Sequence, residues 1–174
     1  MKVVRVGFFN RLLNNLAHLL KTTNRLGEAE PLMRRALAIH EASYGLDHPN
    51  VAVGLNNLAH LLQATNRLGE AEPLMRRALA INESSYGPEH PKVAIDLNNL
   101  ALLLQGTNRR GEAEALMRRN VEMCLKFTQN SGHQHPHLMD AINNYASLLI
   151  KMGDTQPQAL EKVRNLAQPY GVSL

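Results

Sequence analysis

The sequence predicts an all-α fold built from antiparallel helix pairs that follow one another along the chain. Three observations lead to this prediction. The motif LNNLAHLL recurs along the chain, and apolar residues follow the three- and four-residue spacings of helices with one apolar face. Aromatic residues make up only 4% of the 174 residues, and Trp is absent. A core of Leu, Ala, Met, Ile and Val therefore favours closely packed helices.

The repeat has a fixed period. Residues 13–20 (LNNLAHLL) return unchanged at 55–62, and LNNLALLL follows after another 42 residues. Segments 13–54 and 55–96 are identical at 33 of 42 positions. A fourth copy, INNYASLL at 142–149, comes 45 residues after the third because the connection before it is longer. Self-similarity of this kind indicates duplicated structural units that stack on their neighbours.

The first helix of each unit has a recognisable start. A His-Pro dipeptide occurs in three of the four copies, at His48-Pro49, His90-Pro91 and His135-Pro136. Proline suits the first position of a helix because its missing N–H would have had no partner within the helix. We therefore expect the first helices to begin at these prolines. In the second copy the helix stops at Thr65-Asn66, and we expect the Asn66 side chain to cap the following helix.

The second helix of three of the four units carries glutamate and arginine four residues apart, an order that stabilises a helix by a few tenths of a kcal/mol. The predicted pairs are Glu30 with Arg34, Glu72 with Arg76, and Glu114 with Arg118. Pro31 and Pro73 lie several residues inside this segment. Each removes one backbone hydrogen bond, so we expect a bend or a late start of the helix there.

The packing positions resemble those of the tetratricopeptide repeat (TPR). The residues that carry the resemblance in the second copy are Leu58, Ala59, Leu62, Leu68, Ala71, Met75 and Ala78. The 42-residue period and the phrases LNNLA, EAEPLMRRALAI and YGPEHPKVA resemble the longer variant of kinesin light chains and many bacterial scaffold proteins. The first copy departs by having Val6-Gly7 in place of His-Pro, and the fourth by having TQPQALEKVRNLAQ in place of EAEPLMRRAL.

This resemblance implies an α-solenoid of about four TPR units that winds as a right-handed superhelix. It implies one domain over residues 1–174. The expected repeats span about residues 8–48, 49–90, 91–135 and 136–168, and residues 169–174 form a C-terminal tail. The last helix would close the stack, with Ala159, Leu160, Val163, Leu166 and Ala167 on one face and polar side chains on the other.

The resemblance also implies a binding surface, because the first helices of such repeats line a concave groove. The expected groove residues are Asn14, His18, Lys21, Asn56, His60, Gln63, Asn98, Leu102, Gln105, Asn143 and Ser147. A column of amides can hold the backbone of an extended peptide, since an amide both donates and accepts hydrogen bonds. Alternatively, the second asparagine of each LNN pair, at Asn15, Asn57, Asn99 and Asn144, bonds to a neighbour and keeps the stack in register.

The charge pattern leaves two other readings open. The formal net charge is +4, which allows an RNA-binding repeat. However, the arginine pairs Arg34-Arg35, Arg76-Arg77 and Arg118-Arg119 each have a glutamate four residues before one member, and few aromatic residues are present to stack on bases. The other reading is a self-associating repeat protein that forms homo-oligomers through its terminal repeats, helped by Val3, Val4, Val6, Phe8 and Phe9.

Catalysis and cofactor binding find no support in the sequence. No phosphate-binding glycine loop, nucleophile elbow or HExxH motif is present. His133, His135 and His137 alternate without a neighbouring cysteine or acid, which is weak evidence for a metal site. The single cysteine, Cys124, excludes an intrachain disulfide, and no run of 18 apolar residues is present. We therefore expect a cytoplasmic, non-enzymatic scaffold that needs no cofactor and binds a peptide or protein partner.

Overall fold

The computed structural model describes residues 13, 15, 16, 19, 20, 22, 23 and 25–172. Within them, seven α-helices and one 3₁₀ turn alternate with short loops and no strand occurs, which confirms the all-α prediction. The helices are α1 (Leu26–Tyr44), α2 (Pro49–Ala64), α3 (Leu68–Tyr86), α4 (Pro91–Gly106), α5 (Arg110–Ser131), α6 (Leu138–Lys151) and α7 (Gln156–Ala167). The 3₁₀ turn (Gln168–Tyr170) follows α7. Residues before α1 that are helical include Leu13, Leu16 and Leu19.

The chain divides into two compact units, Met1–Ser85 and Tyr86–Leu174. In the first unit α1 packs on α2, and in the second unit α4, α5, α6 and α7 pack on one another in chain order. Each unit has an aliphatic core, as the composition predicted. In α4 the apolar residues at the three- and four-residue spacings of one helix face are all buried, namely Val93, Leu97, Leu100, Ala101 and Leu104.

The first helices begin at His-Pro in two of the three predicted places. Pro49 and Pro91 occupy the first turns of α2 and α4, and the preceding histidines are the N-caps. Each histidine also caps the helix with its side chain: Nδ1 of His48 accepts from the backbone N–H of Asn50 at 3.1 Å, and Nδ1 of His90 does the same two residues on at 3.2 Å. This capping role was not predicted from the sequence.

The third predicted start is wrong. Helix α6 begins at Leu138, two residues after Pro136, and His137 is its N-cap. The longer connection turns inward before the helix begins, because the backbone N–H of His135 donates to Oγ1 of Thr128 on α5 at 3.0 Å. This contact ties the loop to the end of α5.

Two further expectations concern the second helices. Helices α1 and α3 begin at Leu26 and Leu68, well before Pro31 and Pro73, so neither helix starts late, and a bend at these prolines stays a prediction. Asn66 does not cap α3. It adopts a left-handed conformation with φ of 60°, which a short polar side chain tolerates better than most others. The backbone N–H of the next residue then bonds to the carbonyl of Leu62 at 2.8 Å, which closes the hairpin.

The predicted glutamate–arginine pairs are confirmed in two copies. Arg34 lies 2.9 Å from Glu30, and Arg76 lies 2.8 Å from Glu72. The third pair is wrong because Glu114 accepts instead from the hydroxyl of Tyr145 on α6, at 2.9 Å. A neighbouring helix therefore redirects a side chain whose local sequence favoured a partner on its own helix.

Candidate functional site

The predicted groove residues lie along single faces of the first helices. On α2, the side chains of Asn56, His60 and Gln63 are half-buried, opposite the fully buried Leu55 and Leu62. On α4, Asn98 and Gln105 are half-buried and Leu102 is 44% exposed. On α6, Asn143 and Ser147 are exposed. Asn14, His18 and Lys21 lie outside the described residues.

The polar side chains on α2 contact one another. Nδ1 of His60 lies 3.1 Å from Oε1 of Gln63, one turn further along the helix. A glutamine oxygen accepts, so the imidazole donates from Nδ1 and its Nε2 is then an acceptor. This pair therefore places an imidazole and a glutamine amide side by side on the same half-buried face.

In the second unit, an amide hydrogen bond joins consecutive first helices. Nδ2 of Asn144 on α6 donates to Oδ1 of Asn98 on α4 at 2.7 Å. The first asparagine of one copy therefore bonds to the second asparagine of the next, as the register alternative allows for Asn144. Nζ of Lys151 likewise donates to Oε1 of Gln105 at 3.0 Å. Two polar links thus fix the register of α6 against α4.

Asn143 and Ser147 line an open cleft between α6 and α7. This cleft has a volume of about 380 Å³ and is walled by Ile150, Gln156 and Leu160. Ligand sites usually combine an apolar lining with a few polar groups that fix orientation. The two predicted residues lie where this combination occurs in the second unit.

Two buried residues with polar side-chain contacts were not predicted from the sequence. Asn120 on α5 is 3% exposed, and its Nδ2 donates to the carbonyl of Ala94 on α4 at 3.2 Å. Tyr145 is 5% exposed. Burial and its bond to Glu114 raise the pKa of the Tyr145 hydroxyl. Each ties one helix of the second unit to another, and the deviation from LNNLA to INNYA at Tyr145 was the available signal.

The chemistry of Cys124 does not suit a nucleophile. The residue is fully buried, and burial raises the pKa of its thiol to about 12. A thiol becomes reactive as the thiolate, so this side chain stays protonated and inert at neutral pH. In the described part of the chain, no three His, Cys, Asp or Glu side chains come together in a way that could hold a metal ion.

Several arginines on or next to the second helices form ion pairs. Arg67 bridges two helices of the first unit, with Nη1 2.7 Å from Glu30 and Nε 2.6 Å from Glu70. Burial alone would raise the pKa of Glu30, but the hydrogen bonds from Arg34 and Arg67 lower it overall. Arg77 lies 2.6 Å from Glu41. Each of these ion pairs offsets the positive charge of the arginine that forms it.

Comparison with known proteins decides the family. The sequence matches the tetratricopeptide repeat profile over residues 8–84 and 53–126. The chain belongs to the tetratricopeptide repeat family. TPR units are generally protein-interaction scaffolds, and proteins of this family are typically non-enzymatic.

Solved structures confirm the α-solenoid prediction for this TPR protein and its likeness to kinesin light chains. The crystal structure of BtubC (BKLC) from P. vanneervenii has a TM-score of 0.75 at 22% identity, covering 97% of this chain and 67% of that one. A crystal structure of nearly identical TPR-like repeats, from a singly substituted Podosopora anserina protein assigned as a kinesin light chain, gives 0.70 at 20% identity, covering 92% and 72%. A second structure of those repeats has a TM-score of 0.59 at 19% identity, covering 94% of this chain and 97% of that one.

No curated protein matches the sequence of this TPR protein. Among the described residues, no helix is long and apolar enough to cross a membrane.

Proposed function

We propose that this TPR protein is a non-enzymatic scaffold whose first-helix faces bind an extended peptide segment of a protein partner. The observation that carries the proposal is the recurrence of half-buried amides at the same position of the repeat, at Asn56 on α2 and Asn98 on α4. Half-buried amides are well suited to a peptide backbone, because they are partly desolvated and fixed in direction before the ligand arrives.

Side-chain preference would come from the positions one turn further on. His60 with its Gln63 partner offers polar contacts, whereas Leu102 at the equivalent place on α4 is 44% exposed and apolar. A bound peptide is thus expected to place polar side chains near α2 and an apolar side chain near α4. Binding in a continuous concave groove, the four repeat boundaries and a cytoplasmic location stay predictions.

The test uses peptides selected on the wild-type protein from a phage-displayed random library. Each amide contact contributes about 1 kcal/mol net, so the N56A/N98A double variant should bind a selected peptide roughly 30-fold more weakly. Affinity is measured by fluorescence anisotropy of the labelled peptide. The matched control is N130A, which removes an exposed amide near the end of α5.

A second control separates binding from register. N144A removes the bond to Asn98 and leaves the Asn98 side chain in place. If the amides of the first asparagines hold the peptide, N144A weakens binding less than N98A does. Unchanged affinity of a folded N56A/N98A variant, or failure to select any peptide, would place the partner surface elsewhere.

A further inference from the structure

The first copy of the repeat exposes two leucines that later copies bury. Leu16 and Leu19 are 43% and 59% exposed. Their counterparts in the second copy, Leu58 and Leu61, are 1% and 0% exposed. The same positions are also buried in the third and fourth copies, at Leu100, Leu103, Tyr145 and Leu148. Since the octapeptides at 13–20 and 55–62 are identical, the exposure of Leu16 and Leu19 reflects a missing neighbour.

The fourth copy also exposes apolar side chains, on α6 and α7. Met139 and Leu160 are 50% and 47% exposed beside a cleft of about 530 Å³ that Leu138, Ile142 and Val163 also line. In the third copy, the α4–α5 pair is covered by α6. Within the described residues, no helix covers the α6–α7 pair in the same way.

The polar contacts that α6 makes with α4 and α5 show which residues of the first and fourth copies occupy equivalent positions. Tyr145 of the later copy bonds to Glu114 of the earlier one. By the repeat, Tyr145 corresponds to Leu16 of the first copy. Glu114 directly follows the buried Ala113, and Leu160 directly follows the buried Ala159. Leu160 of the fourth copy therefore corresponds to Glu114 of the third. Both members of the polar pair are therefore replaced by leucine, at Leu16 in the first copy and at Leu160 in the fourth.

The amide link shows the same correspondence. Within the chain, Asn144 donates to Asn98. The repeat equivalents of these two residues are Asn15 in the first copy and Asn143 in the fourth, and both are exposed. The first copy therefore offers the Asn144-like half of this hydrogen bond, and the fourth copy offers the Asn98-like half.

We propose that a second copy of this protein docks the Leu16 and Leu19 face of its first repeat on the α6–α7 cleft, as a fifth repeat would. In this contact Leu16 packs on Leu160, and Asn15 bonds to Asn143. The two surfaces differ, so the contact is heterologous, and chains add head to tail. This contact uses the first and fourth repeats rather than the first-helix faces of α2 and α4. Its test is therefore independent of the test of peptide binding.

Sedimentation velocity over a wide range of protein concentrations tests the proposal. The weight-average mass of the wild-type protein should rise above the monomer value of 19.4 kDa. Substitutions L16E and L160E should each weaken association by at least about tenfold, because each places a charge in the centre of an apolar contact. The matched control is L46E, because Leu46 is 61% exposed and lies outside both surfaces.

Mixing the two variants decides the geometry. The L16E chain keeps an intact α6–α7 cleft, and the L160E chain keeps an intact Leu16 face. An equimolar mixture should therefore form a dimer of twice 19.4 kDa that grows no further. A wild-type protein that stays monomeric at every concentration would overturn the proposal. So would a mixture that stays monomeric while the wild type associates, or an L46E variant impaired as strongly as L16E, with circular dichroism confirming that all variants are folded.

Discussion

The turns before α4 and α6 carry the same His-Pro dipeptide and differ in depth. His90 is half-buried, stacks on Tyr86 with 4.4 Å between ring centroids, and directly caps its helix. His135 is 1% exposed, meets Phe127 edge-on at 5.0 Å, and lies three residues before its helix. The comparison shows that the dipeptide places Nδ1 of its histidine against the backbone N–H two residues on in both turns, and that the ring lies deeper where the connection is longer.

The local hydrogen bond of the histidine is the same in both turns. Nδ1 of His135 accepts from the backbone N–H of His137 at 3.1 Å, as Nδ1 of His90 does from Lys92. Because Nδ1 accepts, the proton of the neutral ring sits on Nε2. In the part of the chain that the structure describes, Nε2 of His135 is buried and has no hydrogen-bond partner. The deeper turn therefore depends more strongly on an uncharged ring.

The largest expected effect is at the deeper turn. H135A removes a buried ring and the Nδ1 acceptor of the His137 N–H, and we expect it to lower the free energy of unfolding by about 3 kcal/mol. Urea unfolding followed by far-UV circular dichroism measures the change. The matched control is H133A, because His133 lies in the same loop and is exposed. Equal stability of H135A and H133A would show that the depth of His135 has no energetic consequence.

The next largest effect is expected on acidification, which should destabilise the turn that contains His135. Burial, followed by the charges of His137 and His90, lowers the pKa of His135 below its ordinary value of 6.5. His135 therefore takes up a proton near pH 6.5 in the unfolded chain but only at a lower pH in the folded chain. The contribution of His135 is complete above pH 6.5 and is lost as the pH falls through the lower pKa of the folded state.

Unfolding free energies at several pH values between neutral and mildly acidic check this expectation. The wild-type protein should lose more stability on acidification than H135A does. H135A keeps His40, whose pKa is also lowered by burial, so some acid sensitivity remains in the variant. A steeper acid loss in H135A than in the wild type would contradict the assignment.

The smallest effect is expected at the shallower turn. H90A removes the N-cap acceptor of α4 and should cost about 1 kcal/mol. H90N should recover most of this loss, because an asparagine side chain can accept the same backbone N–H. The two variants are compared by urea unfolding. If H90N is as unstable as H90A, the stacking on Tyr86 rather than the cap is what stabilises this turn.

Local regularities were predictable wherever the contact lies within one helix or its first turn. The apolar stripe of α4, the starts at Pro49 and Pro91, and two of the three glutamate–arginine pairs follow from spacing alone. Two of the failures occur where another element intervenes. Glu114 turns to Tyr145 on a neighbouring helix, and the loop before α6 is drawn to Thr128.

The candidate site was predictable only in part for the same reason. Helical spacing places Asn56, His60 and Gln63 on one face of α2, and the structure agrees. Spacing does not reveal that Asn98 accepts from Asn144, because that bond depends on the register between two helices. Whether these positions bind a peptide stays a prediction.

The sequence by itself determined the period, the helices and the identity of the packing residues of this TPR protein, because helix formation and amphipathicity are local properties. Only the tertiary structure decided which of the repeated surfaces are covered. Leu16 and Leu58 occupy the same place in identical octapeptides, yet one is 43% exposed and the other 1%. The burial of a side chain depends on the neighbours that pack against it, and these lie elsewhere in the chain.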